Sequence, residues 1–361
     1  MPIEMPNPLL AMHEQAGAEF ASHAGTPIAS TFGHPEMEYA AIRKGCALVD
    51  LCQRGIIELT GRDRLAFLNN LLTNRTWDKS AKRGLAAGEG VYAFLLTAKG
   101  RIIADMNVLE LGERTLLEMD GRMVLPVMEA LNRYLFGEQV TVRSLVGQVH
   151  ELAVHGPRAF DLLQGPALQP MHSRVVRLCD QDAVVWRDDP CGVSGYHLLV
   201  PTAAASDVWA RLSAEARPCG WAAYNTARIE AGRAIFGIDF DETVLPAETG
   251  LLDRAVSFTK GCYLGQEIVA RMQSRGQVAR LIVGIRMGGD ALPIAGAQVE
   301  DEAGQGVGVV TSSTISPLLS GTAICLAMVK KESSAAGTRL RIPAEGAVRT
   351  GTIVPLPFVK A

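Results

Sequence analysis

Three groups of residues have types and spacings that could do chemistry. In Lys260-Gly-Cys-Tyr-Leu-Gly-Gln-Glu267, Cys262 stands between glycine and tyrosine, with Lys260 before it and Gly265 after it. The flanking glycines predict a turned backbone that presents the thiol, and a nearby ammonium would favour the thiolate, the nucleophilic and metal-ligating form. The common fate of a free cysteine, a small buried hydrophobe, stands beside that reading. One thiol is by itself too few ligands for a metal cluster, which takes about four.

The second group lies on an apolar run from Arg101 to Leu109. Strand alternation puts Ile103, Asp105, Asn107 and Leu109 on one face. That face looks at solvent or lines a polar cavity. The third group follows Trp221, where Tyr224 and Arg228 share a helical face and Glu230 comes two residues later. A carboxylate such as Glu230 can accept paired N–H donors in a bidentate manner; a solvated helix charge is the alternative. Arg271, Arg275 and Arg280 join Lys260 in concentrating positive charge near Cys262. They suit a carboxylate-bearing ligand, a solvated face or an RNA-facing patch. Tyr92, Tyr263 and Trp221 could stack on a flat ring or pack in a core.

The elements that must hold these residues are mixed. Ile56–Leu59 reads as a strand broken by Gly61, and Leu65, Leu68, Leu71 and Leu72 follow at helical spacing behind Asp63, a candidate cap. Val91–Thr97 and Arg101–Leu109 form a hairpin across Ala98-Lys-Gly100, and 124–135 is an amphipathic helix before a strand over 140–145. The segment from Leu152 to Phe160 echoes the strand, glycine break and helix start of 57–67, which suggests a duplication. Strands at 183–187 and 196–200 and helices at 202–216 and 221–231 complete this part. Beyond Leu281 short β-rich runs between Gly and Pro predict a small barrel or sandwich. The first 35 residues read as a tail that docks as a short helix around 11–21.

Composition narrows the classes. The 361 residues carry 35 Lys and Arg, 38 Asp and Glu and a net charge of −3, without the basic balance of a dedicated nucleic-acid binder. With 48% hydrophobic and 20% charged residues the chain can bury a large core, and at roughly 100 to 200 residues per domain its length predicts two or three domains. It has no apolar run of membrane-span length and no signal pattern, which makes the cytoplasm the expected compartment. Seven scattered cysteines without a Cys-x-x-Cys pair predict reduced thiols, not a disulfide framework or a zinc site. The other cysteines and the seven histidines show no ligand spacing and are given no role.

Three stretches taken in order, 61–74, Ala227-Arg-Ile-Glu-Ala-Gly232 leading to Leu245-Pro-Ala-Glu248, and 260–267 with Arg271, resemble the folate-binding superfamily of the glycine-cleavage T-protein. The Cys262 stretch looks most like the YgfZ branch, because T-proteins typically carry an acidic residue and Phe where Cys262 and Tyr263 stand. The resemblance implies an α+β fold: a tail over 1–35, a folate-binding unit over 36–276 in two lobes divided near 147, and a C-terminal β-barrel over 277–361.

For function, the resemblance implies that tetrahydrofolate or a one-carbon derivative is bound. Glu230 would hold the amino-pyrimidine edge of the pterin, with Arg228, Tyr224, Tyr92, Lys260 and Arg271 as further binding residues. Asp105 matches the aspartate that T-proteins use near the folate nitrogen, where a carboxylate orients the ligand and stabilises positive charge. With Cys262 as a second catalytic residue, the leading expectation is an accessory factor for iron-sulfur cluster assembly or repair, acting on client or assembly proteins and supporting tRNA-modifying enzymes. The alternative is a tetrahydrofolate-dependent aminomethyl- or methyltransferase. A binding protein that has kept the fold and lost the chemistry is a third. Neither direct nucleic-acid binding nor a membrane is expected.

Overall fold

The computed structural model describes residues 5–163, 166–275 and 278–360. Two antiparallel-rich sheets and a closed barrel organise them into an α+β fold. The first sheet has the order Thr141–Ser144, Arg54–Thr60, Arg114–Asp120, Ile102–Glu110, Gly90–Leu96, every neighbour antiparallel. The second runs Ser173–Leu178, Gln181–Arg187, Gly195–Pro201, Val149–His155, Ala47–Asp50, Arg217–Pro218, with only the last pair parallel. The barrel closes over Arg280–Met287, Thr322–Lys330, Gly306–Ser316, Gln298–Glu300, Arg339–Ala344 and Ala347–Val354.

Alternation decides which residues each sheet hides. On the first sheet Ala104, Met106 and Val108 join Leu117 and Met119 on the outer face, against Phe67 and Leu68 of helix Arg64–Leu71 and Val127 and Leu131 of helix Val124–Arg133. On the second, Leu152, Val154, Leu198 and Val200 pack on Val208, Trp209 and Leu212 of helix Ala205–Ser213. The two inner faces meet each other. Ile56, Leu116, Leu145, Trp186 and Leu199 make one end of that interface apolar, and charged side chains make the other end polar.

The N-terminal segment differs from a simple tail. A helix covers only Leu10–Gln15, and a hairpin of Glu19–His23 and Thr26–Thr31 follows. Buried His13 bonds Asp50 Oδ2 at 2.9 Å, and His150 bonds the other oxygen of the same carboxylate at 2.8 Å. The segment therefore docks through a polar contact with residues far along the chain, which local pattern does not encode. Asp63 stands before its helix, but its side chain accepts from Gln139 N at 2.8 Å and not from a helix N–H. Helices Pro35–Lys44 and Gln266–Arg275 and strand Ser173–Leu178 were absent from the pattern-based expectations. No helix among the described residues is long and apolar enough to cross a membrane.

A fully buried ion pair ties the barrel to the sheets. Arg228 donates to Asp239 Oδ2 and, at 2.6 Å, to Ser312 Oγ; Asp239 Oδ1 also accepts from Thr311 and Ser312 hydroxyls. Helix Trp221–Glu230, the loop after it and barrel strand Gly306–Ser316 thus share one charge pair. Asp239→Ala leaves the guanidinium buried and unpaired, and a loss of about 3–5 kcal/mol in chemical unfolding is expected. A loss below about 1 kcal/mol, the surface-pair range, would show that the pair does not hold the barrel in place.

Candidate functional site

The polar end of the inter-sheet space is a cavity of about 90 Å³ with an open mouth. The first sheet contributes Tyr92, Asp105, Asn107, Glu118, Asp120 and Arg54, which alternation places on its inner face. The second sheet contributes His197. Trp221 and Tyr224 arrive from the start of the helix that carries Arg228, Asp188 and Arg233 from loops, and Arg254 from the short helix Leu252–Ala255.

Most of the charge is paired. Glu118 accepts from Arg54 and, at 2.7 Å, from Asn107 Nδ2. Asp120 bonds His23 at 3.0 Å and Arg122 at 2.7 Å. Asp188 accepts from Arg233 and Arg254; burial pushes its pKa up, but the charges of Arg254 and His197 and the hydrogen bonds from Arg254 and the backbone together outweigh that and hold the carboxyl below its ordinary value. Arg254 also lies over the Tyr92 ring, 4.4 Å from the centroid, in a cation–π contact.

Asp105 is held differently. Its Oδ2 accepts from the Tyr92 hydroxyl at 2.8 Å, while Oδ1 has no hydrogen-bond partner. Burial raises its pKa, and the charges of Glu118 and Asp120 add to the rise against the opposing pull of Arg54 and the Tyr92 bond. The side chain is only 8% exposed. A ligand N–H, and more so a protonated nitrogen, would satisfy Oδ1 and restore the compensation that burial removes. Tyr92, Trp221 and Tyr224 supply aromatic surface in the same cavity, and the Trp221 and Tyr224 rings lie 5.5 Å apart.

The structure separates the other site residues anticipated from sequence. Glu230 is completely buried outside this cavity lining: Oε2 accepts from Tyr39 at 2.6 Å and from Arg43, and Oε1 from Ser316. Both oxygens are engaged by protein donors, which tie its helix to helix Pro35–Lys44 and to barrel strand Gly306–Ser316. Arg228 is likewise consumed by Asp239 and Ser312, although it shares a helix with the cavity residue Tyr224.

Lys260 Nζ donates to the carbonyls of Leu72 at 2.6 Å and Asn74 at 2.9 Å, and lies 5.0 Å from the centre of the Tyr263 ring. Burial, with Arg75 and Lys79 nearby, lowers its pKa to about 7. Tyr263 packs in the core. Arg271 is exposed and pairs with Glu267 at 3.2 Å, Arg280 pairs with Glu248 at 3.4 Å, and the side chain of Arg275 lies outside the described residues. Cys262 is exposed. Its loop is seated on the hairpin that carries Asp105: at Gly265 (φ +78°) a Cβ would lie 2.6 Å from the Thr97 carbonyl.

Asp188, Arg254, Glu151 and His197 were not anticipated. His197 was legible in part, since alternation along Gly195–Pro201 sets it on one face with Gly195 and Leu199. The partners of Asp188 and Arg254 come from separate segments, and no spacing in the chain marks them.

Asp105 has a raised folded pKa, so its ionisation opposes folding: the stability it contributes is present below the ordinary Asp value of about 3.9 and is lost as pH rises through the folded value. Asp105→Asn should therefore make the ligand-free protein at least as stable as wild type at neutral pH, with the advantage vanishing below about pH 4. Thermal midpoints across that range measure it. A variant that is less stable at neutral pH and recovers in acid would contradict the assignment.

Two family models match the chain, the GCVT N-terminal domain over residues 9–260 and the glycine cleavage T-protein C-terminal barrel domain over residues 280–360. Among curated relatives, an aminomethyltransferase from Cutibacterium acnes is 30% identical, with 98% of each chain covered. One from Geobacillus kaustophilus is also 30% identical with the same coverage. The crystal structure of glycine cleavage system aminomethyltransferase T from Bartonella henselae superposes with a TM-score of 0.89 over 99% of both chains at 24% identity, a likeness of fold.

Proposed function

The chain belongs to the glycine cleavage T-protein family, and from that premise we propose that it is a tetrahydrofolate-dependent aminomethyltransferase whose active site is the inter-sheet cavity. The carrying observation is Asp105, a buried carboxylate with one oxygen fixed by Tyr92 and the other unpartnered. The relatives' shared name supports this reading over the others.

The residues present fit the ligand. Tyr92, Trp221 and Tyr224 offer flat apolar surface for a fused heterocycle, and Asp105 Oδ1 offers an acceptor for an N–H or for a nitrogen that becomes positive. Tetrahydrofolate, when bound, supplies the amine nitrogens that take up a one-carbon unit. Asp105 stabilises positive charge at such a nitrogen and can take its proton on Oδ1. Its raised proton affinity suits that step. Tyr92 fixes the carboxylate by its hydroxyl, and Arg254 fixes Tyr92 through the ring.

Purified protein given tetrahydrofolate and an aminomethyl donor should turn over, and Asp105→Asn should lower kcat by about 10²–10⁴ while tetrahydrofolate binding persists. Cys262→Ala should leave kcat unchanged. Full turnover by Asp105→Asn would remove Asp105 from the mechanism.

A second reading, a YgfZ-type accessory role in iron-sulfur cluster maintenance, is favoured by one observation: Cys262 of the Lys260–Glu267 stretch is exposed, as is Cys179, while Cys46, Cys52, Cys191, Cys219 and Cys325 are buried. An accessible thiol could contribute one ligand to a cluster shared with a client protein. On this reading, cells deleted for the gene lose iron-sulfur enzyme activity, including that of tRNA-modifying enzymes, and wild type restores it where Cys262→Ala does not. Undiminished activity in the deletion strain would sink this role.

A further inference from the structure

A buried imidazole–carboxylate pair stands at the cavity without a function in the site described above. His197 lines the cavity from the second sheet and is 6% exposed. Its Nδ1 bonds Glu151 Oε1 at 2.8 Å. Its Nε2 has no partner, and neither has Glu151 Oε2. The ring stacks on Trp186, with centroids 5.1 Å apart, and meets His155 edge-on at 5.6 Å. Sheet register explains the cluster: His197 pairs across from Ala153, so Glu151 and His155 flank it diagonally on the same face. Gly195, paired with His155, leaves room for that ring, since a Cβ there would lie 2.5 Å from His155 Nδ1.

Leaving a buried nitrogen unpaired costs about 1–3 kcal/mol, and a buried glutamate whose second oxygen is unpaired adds to that. The charged groups around the ring are Glu151 on the neighbouring strand, Glu118 with its partner Arg54 from the facing sheet, and Asp188 with Arg233 from loops and Arg254 from helix Leu252–Ala255. His155 is held neutral by burial, its pKa lowered to about 3. Burial also works against charge on His197, but the bond and charge of Glu151, with Asp188 and Glu118, outweigh it and raise the pKa. Burial and the charge of Glu118 raise that of Glu151. Both shifts favour holding a proton between the ring and the carboxylate.

We propose that His197 is a second polar contact for the folate heterocycle, with Nε2–H donating to a ring nitrogen or lactam oxygen of the ligand, and that Glu151 is the positioning residue that fixes the ring and its charge. This rests on the cavity being the tetrahydrofolate site. Asp105 then meets the ligand's N–H face from the first sheet and His197 its acceptor face from the second. His197 is the binding residue; Glu151 acts through it.

The test is tetrahydrofolate binding to the full chain under anaerobic conditions, followed by tryptophan fluorescence from about pH 6 to about pH 9, a span above the ordinary imidazole value of ~6.5. Wild-type affinity should fall on the alkaline side as the imidazolium loses its proton. His197→Phe should bind about tenfold or more weakly at neutral pH, as expected for a lost hydrogen bond to a charged group, and should lose that pH dependence. Glu151→Gln removes the group that holds the proton on the ring, so its affinity should fall at lower pH than in wild type. His197→Gln, with a neutral amide, serves if the Phe variant does not fold; it should bind with a flat pH profile. Variants with lowered thermal midpoints but wild-type affinity and pH profile would overturn the proposal and leave the folate site standing. No binding of tetrahydrofolate by wild type would overturn both.

Discussion

Charge buried between two facing β-sheets is the constraint on which the rest of the structure depends. Removing an ion from water costs several kcal/mol unless a well-placed partner compensates it. Nearly every carboxylate in this space is so compensated: Glu118 by Arg54 and Asn107, Asp120 by His23 and Arg122, Asp188 by Arg233 and Arg254. Those pairs come from the first sheet and the turn after it, the N-terminal hairpin, the loops at Asp188 and Arg233 and the short helix Leu252–Ala255. They hold the cavity walls at a fixed spacing before any ligand arrives. Asp105 differs, with a phenol and no cation bonded to it. A scaffold of satisfied pairs around the under-satisfied Asp105 is pre-organised for electrostatic work, because the compensation is left for the reacting molecule to supply.

The same economy of pairing fixes the barrel. Arg228 and Glu230 are two residues apart on one helix, yet they reach different neighbours. Arg228 bonds Asp239 and the barrel hydroxyl of Ser312; Glu230 bonds Tyr39, Arg43 and barrel Ser316. Together they clamp the barrel and helix Pro35–Lys44 to the end of the helix that brings Tyr224 into the cavity. The Arg-Ile-Glu stretch is thus as consequential as its pattern suggests, through attachment.

How much of this was legible in the sequence depended on the range of the signal. Asp105 and Asn107 share a face because strand period is local, and that face proved to line a cavity and not solvent. The β-rich texture after Leu281 likewise gave a closed barrel, since short runs between turn residues carry their own period. The protein partners of Glu230 were not legible, because its bond to Tyr39 spans 191 positions, and helical spacing gives a face without saying what covers it. Lys260 stands two residues from Cys262, yet its ammonium serves the carbonyls of Leu72 and Asn74. The His197–Glu151 pair escaped for a related reason: 46 positions separate the partners, and only the register of two strands brings them together.

The two walls differ in what they ask of a ligand, and that difference bears on selectivity. Asp105 Oδ1 is an acceptor without a donor; His197 Nε2, charged through Glu151, is a donor without an acceptor. A simple amine would answer the first and leave the second unpaired, and a simple anion would do the reverse while facing Asp105. Each unmet buried group costs about 1–3 kcal/mol, or roughly tenfold or more in affinity. A flat heterocycle with N–H groups on one edge and a carbonyl or ring nitrogen on another satisfies both and covers the aromatic surfaces of Tyr92 and Trp221. Rejection of the wrong ligand then comes from polar groups left unpaired, a stronger discriminator than the fit of apolar surface alone.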